Sequence, residues 1–86
     1  MPYHIDFTAG AARQLRKLPE NIRDRLAPHL NDLAKDPRLA GAKKLKGAAG
    51  YRIRVGDYRI LYEIQDSASR VLIVTVGHRR EVYRGR

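Results

Sequence analysis

Eighty-six residues and 9.8 kDa are read as one domain spanning 1–86, because two halves would each lie near the roughly 40 residues below which a core needs a staple. The absence of cysteine excludes disulfides and thiolate metal sites, and no apolar run approaches the roughly 18–20 residues of a membrane span. Eighteen Lys and Arg against nine Asp and Glu give a formal +9 and a pI near 10.5, a field that selects a polyanionic partner such as nucleic acid or an acidic protein.

Residues 1–42 hold seven basic and five acidic side chains, whereas 43–86 hold eleven and four. The excess of +7 in the second half is where a functional reading starts. No secretory signal is recognised before Thr8, and a cytoplasmic location is the expectation.

In chain order, Tyr3, Ile5 and Phe7 alternate with His4 and Asp6, which predicts a half-buried strand. Thr8 then stands as N-cap to a short helix through Leu15 and Leu18, closed by Pro19 because the residue before proline disfavours the α region. A second helix is expected to begin at Pro19, where the missing N–H costs nothing. Its stripe of Ile22, Leu26, Leu30, Leu33 and Ala34 ends at Asp36 and Pro37. Pro28 falls inside that stripe, and a kink or a break costing about 3 kcal/mol is expected there. Residues 38–50, rich in Ala, Gly and Lys, read as a connector with Leu39 and Leu45 as anchors.

Beyond Gly50 the apolar period becomes two. With Gly56 and Asp57 as a two-residue hairpin loop, Val55 pairs with Tyr58, Ile53 with Ile60 and Tyr51 with Tyr62 on the core side. Residues 71–76 are apolar at nearly every position and predict a central strand covered on both faces. The expected fold is α+β, with order β-α-α-β-β-β and a helical hairpin packed on one face of a small, mostly antiparallel sheet.

The same register puts Arg54 across from Arg59, with Arg52 across from Leu61 on that outer face. Like charges directly opposite on a sheet are unfavourable by about 0.2–1 kcal/mol. An anion relieves that repulsion, and the guanidinium fork suits phosphate oxygens. A second cluster follows residue 76: Gly77 is read as the point where the chain changes direction, and His78, Arg79, Arg80, Tyr83 and Arg84 follow it. An arginine beside a tyrosine supplies phosphate charge and a ring on which a base stacks. His4 and His29 have no second metal-type ligand at useful spacing, so neither a metal nor another cofactor is expected. Ser67 and Ser69 lack a paired base.

The blocks "YRIRVGDYRILYEI" and "VGHRREVY", together with Leu45-Lys46-Gly47, resemble toxins of the RelE/ParE superfamily over essentially the whole chain, most closely its RelE branch. The resemblance implies a type II toxin that enters the ribosomal A site and cleaves mRNA as an endoribonuclease, held inactive by a cognate acidic, RelB-like antitoxin. By position it carries the family's catalytic roles onto Arg54, Arg59, Arg79 and Tyr83, with Arg52 at the scissile phosphate. His78 is added as the one group in that block that titrates near neutral pH. Lys43, Lys44, Lys46, Arg80 and Arg84 are assigned to RNA binding as flanking charge. Position 54 departs from those members that carry lysine there as general base, because arginine, with a pKa above about 12, is a poor proton acceptor. A gyrase inhibitor of the ParE branch and an RNA-binding domain that does not cut are the alternatives.

Overall fold

Alternation at the N-terminus yields β1 (His4–Phe7), and Thr8 turns it directly into α1 (Ala9–Lys17). The Thr8 hydroxyl accepts the Ala11 N–H at 3.0 Å, the N-cap bond that satisfies one orphan donor of the first turn. The computed structural model describes residues 2–39, 41–45, 50–78 and 80. α1 ends at Leu18, and α2 (Glu20–Lys35) starts one residue later than expected, with Pro19 as its N-cap. α2 is a single helix with Pro28 inside it, so the chain does not break there. Leu26 and Leu33, on either side of the proline, are both fully buried. That burial is worth roughly 1.5–3 kcal/mol per side chain, enough to offset the local penalty.

The rest of the chain is sheet: β2 (Lys43–Lys44), β3 (Tyr51–Val55), β4 (Tyr58–Gln65) and β5 (Arg70–His78), with a 3-10 turn (Asp66–Ala68) before β5. The strand order is β1-β5-β4-β3-β2. Only β1 with β5 is parallel, and the other three ladders are antiparallel. β5 is therefore interior to the sheet, as expected, but the helices cover only one of its faces: Val71, Ile73 and Val76 are buried against them, while Leu72 and Val74 are half-buried. Residues 38–50, whose composition predicts a connector, are not all connector: Lys43 and Lys44 form an edge strand against Arg52 and Tyr51. Two residues carry no readable period, and this strand exists because β3 offers a free edge beside it.

The β3–β4 hairpin has the expected register, Val55 with Tyr58 through Tyr51 with Tyr62. Gly56 has φ +61°, the sign that the first position of a two-residue hairpin loop with leading glycine demands. Gly77 is not a turn. It lies buried within β5, opposite Arg59, because the strand runs on to His78.

The core lies between the helices and one sheet face: Ala11, Leu26 and Leu33 meet Ile53, Val55, Ile60, Tyr62, Val71, Ile73 and Val76. The Tyr62 hydroxyl, in the middle of it, donates to the Pro37 carbonyl at 2.6 Å. β4 and β5 slip register between Leu61 and Tyr62, which leaves Val74 as a bulge. α1 and its cap serve the backbone around that slip: the Thr8 hydroxyl donates to the Val74 carbonyl at 3.3 Å, and Gln14 Oε1 accepts the Val76 N–H at 2.9 Å.

Candidate nucleic-acid interface

On the sheet face away from the helices, two rows cross the hairpin end. One is Arg54, Arg59 and Gly77; the next is Lys43, Arg52, Leu61 and Thr75. The Leu45 N–H donates to the Gly50 carbonyl at 3.0 Å. Bonded pairs in an antiparallel ladder recur every second residue, so Lys43 with Arg52 is a bonded pair and Arg54 faces Arg59 as a non-bonded one. That is the closer kind of pair, about 4.5 Å between Cα atoms, and it compresses the positive charge.

The two arginines answer this differently. Arg54 is exposed. Arg59 is 7% exposed, and its Nη1 donates to the carbonyls of Gly56 at 3.3 Å and Tyr58 at 3.1 Å. The turn carbonyls hold this guanidinium in place and take up part of its field. A further cation comes from α2, since Arg25 Nη1 lies 3.6 Å from where a side chain at Gly56 would begin. In the sequence Arg25 is marked only by its spacing of four from His29 on the flank of the apolar stripe.

The two ion pairs described both lie at the opposite end of the sheet. Arg38 meets Asp66 at 2.9 Å, and Arg70 meets Asp6 at 3.6 Å. Arg38 grips both carboxylate oxygens and Tyr3 donates to one of them at 2.6 Å. Those bonds, Arg38's first, hold the Asp66 carboxyl down at about 2. The described ion pairs thus gather at one end of the sheet, and Lys43, Arg52, Arg54 and Arg59 at the other.

The remaining expected residues divide. Lys44 is opposite Tyr51, and so has the parity of the core face rather than that of Arg52. His78 is opposite Tyr58 and shares its side of the sheet, with the rings edge to face at 5.7 Å between centroids. Its Nδ1 accepts the Arg80 N–H at 3.2 Å, and Arg80 itself is exposed. The register therefore brings Arg52, Arg54, Arg59 and Lys43 together and leaves Lys44 and His78 on the other face. Lys46, Arg79, Tyr83 and Arg84 lie outside the described residues. A cavity of about 370 Å³ opens beside β3, and His29 and Gly41, which carry no binding role in the sequence pattern, help to line it.

A family model described as "ParE toxin of type II toxin-antitoxin system, parDE" matches residues 5–83. Toxin RelG of Mycobacterium tuberculosis is 38% identical over 86 residues, covering 98% of this chain and 99% of the relative. The mRNA interferase toxin RelE of Escherichia coli is 33% identical over 88 residues, covering 96% and 92%. Among solved structures, the toxin–antitoxin complex RelBE2 of M. tuberculosis aligns with a TM-score of 0.82 at 37% identity, covering 91% of this chain and 99% of that one. The isolated E. coli RelE toxin aligns at 0.80 with 28% identity, covering 88% and 83%.

Proposed function

Because the chain belongs to the RelE/ParE superfamily of type II toxins, on its RelE side, we propose that it is an endoribonuclease that cleaves mRNA in the ribosomal A site and so inhibits translation. Residues 1–86 act as one toxin domain in the cytoplasm, and an acidic RelB-like antitoxin holds it inactive. What supports an antitoxin is that the aligned M. tuberculosis structure is a toxin–antitoxin complex, together with the concentration of Lys43, Arg52, Arg54 and Arg59 on the outer face.

The observation that carries the reading is the Arg54–Arg59 pair, directly opposed, with Arg52 and Lys43 in the adjoining row and the described ion pairs at the far end of the sheet. In the proposed reaction the 2′-oxygen attacks the adjacent phosphorus, a 2′,3′-cyclic phosphate forms, and the 5′-oxygen leaves with a proton. The 2′-hydroxyl makes RNA the substrate rather than DNA. Arg54, Arg59 and Arg79 stabilise charge on the phosphorane, usually the largest single contribution to such catalysis, while the ribosome and stacking on Tyr83 set the in-line geometry. Arg54 does not serve as general base. His78, with Nδ1 engaged, has Nε2 left for proton transfer and reaches substrate only around the end of the sheet; Tyr83 is the other donor to consider.

Primer extension on ribosome-bound message tests the reading. Arg54→Ala is expected to lower cleavage by about 10²–10³-fold, the cost of removing one preorganised donor. Full activity in both Arg54→Ala and Arg79→Ala overturns the arginine mechanism, and full activity in His78→Ala removes histidine from it. RNA binding without any cut product selects the binding-only alternative. Loss of gyrase supercoiling activity on addition of the protein selects the ParE-like one.

A further inference from the structure

We infer that the cavity beside the free edge of β3 is a nucleobase pocket, which takes the base of the RNA nucleotide next to the phosphate held by Arg54. The inference rests on the ribonuclease reading above and deepens it.

The ladder is the starting point. With Leu45–Gly50 and Lys43–Arg52 as bonded pairs, the next in the series is residue 41 with Arg54. That pair is not formed. Gly41 adopts φ +95°, and the chain turns back on itself there, with the Ala42 N–H donating to the Leu39 carbonyl at 3.0 Å. On this side of β3, no described residue hydrogen-bonds to the N–H or C=O of Arg54. By the ladder's parity the Arg54 N–H and C=O point, side by side, to the edge where the cavity opens. Leu39 and Ile53 give it apolar walls, His29 closes it from α2, and Lys43 and Arg52 stand on its rim.

These groups together select the ligand. A flat, weakly polar face suits the walls, and an edge with acceptor and donor on adjacent atoms suits Arg54. Each of the four RNA bases offers such a pair on its Watson–Crick edge, the edge that single-stranded RNA exposes to proteins. An extended peptide also offers N–H and C=O, but strand addition needs a run of free backbone. Here Lys43 already covers Arg52, and the turn begins at Gly56, so among the described residues Arg54 alone is open on this edge. A free nucleotide has the right base, yet the Arg54 side chain lies on the outer face beside Arg59 while its backbone faces the cavity. A base in the pocket and a phosphate on that face are joined by the same residue, as they are in a chain.

The test uses trinucleotides made uncleavable by 2′-deoxy substitution, each compared with versions abasic at one position. Affinity and the backbone amide resonance of Arg54 are followed. One abasic position is expected to weaken binding roughly tenfold, as loss of a stacked base does, and to abolish the Arg54 amide shift. His29→Trp, which fills the cavity, is expected to remove that dependence on the base at an unchanged melting temperature. If that variant fails to fold, the abasic series on the wild-type chain decides alone. Equal binding by all abasic versions overturns the pocket. So does adenosine 5′-monophosphate binding as tightly as the trinucleotide, which would assign the cavity to a free nucleotide. So too does an acidic peptide that moves the Arg54 amide when RNA does not. Base-dependent binding by a protein that cuts no ribosome-bound message upholds the pocket and overturns the ribonuclease. Cleavage without base dependence overturns the pocket alone.

Discussion

The Arg59 guanidinium is tied to two turn carbonyls while standing opposite Arg54, so one side chain both closes the hairpin and charges the outer face. Tyr62 is the corresponding residue on the inner face. Its hydroxyl, pushed up to about 12 chiefly by burial, donates to the Pro37 carbonyl. Tyr62→Phe leaves that buried carbonyl unpaired and should cost about 1–3 kcal/mol, measured by urea denaturation. An unfolded tyrosine ionises near 10, so the hydroxyl's contribution is whole below that pH and disappears as pH rises toward 12; the variant should lack that alkaline slope. Asp66 has the opposite sign. Its carboxyl is held at about 2 in the fold against about 3.9 in the unfolded chain. Its contribution is therefore present above about pH 4 and is lost as pH falls toward 2. Asp66→Asn should flatten the fall in melting temperature over that window. The effect should be small and weaken with salt, because both partners are about half exposed.

Among elements, α2 carries the plainest conflict between local and tertiary preference. Pro28 is exposed and its ring removes a bond to the Asp24 carbonyl, yet the helix spans it because Leu26 and Leu33 are anchored on either side. Pro28→Ala should restore the bond and stabilise the protein by roughly 2 kcal/mol, the helix penalty of about 3 less the unfolded-chain entropy that proline removes. A higher urea midpoint at unchanged slope is the expected result. β3 shows the reverse case, in which glycine is required at both ends of a neighbouring segment. Gly50 has φ +123°, and a side chain there would begin 2.8 Å from the Tyr62 carbonyl oxygen, so nothing larger passes between the connector and β4. Gly41 lets the connector leave β3 after two residues of pairing, and the cavity is the space it leaves.

For the whole molecule, the +9 is separated by the fold: the described ion pairs gather at the end of the sheet where β5 begins, and the outer-face arginines gather at the hairpin end. An RNA strand bound there displaces counterions, so affinity should fall steeply with salt. Arg54→Ala should reduce the slope of log affinity against log salt by about 0.7, the value for one contact to a single strand. Fluorescence anisotropy on uncleavable RNA measures it.

The hairpin was legible in advance down to each pair, and with it the facing of Arg54 and Arg59. Those features rest on a two-residue loop and an alternating period, both local in the chain. The Thr8 cap and the apolar stripe of α2 were legible for the same reason. Four features came only from the assembled structure: the parallel pairing of β1 with β5, the edge strand at Lys43, the continuity of α2 through Pro28, and the cavity that exposes the Arg54 backbone. The first and third depend on contacts between segments distant in sequence, whose burial outweighs what the local residues prefer; the edge strand and the cavity depend on how a two-residue segment with no readable period docks beside β3. The sequence by itself determined the charge, its concentration in the second half and which arginines share a face; the tertiary structure decided which of them are held by turn carbonyls and which edge is left open beside them.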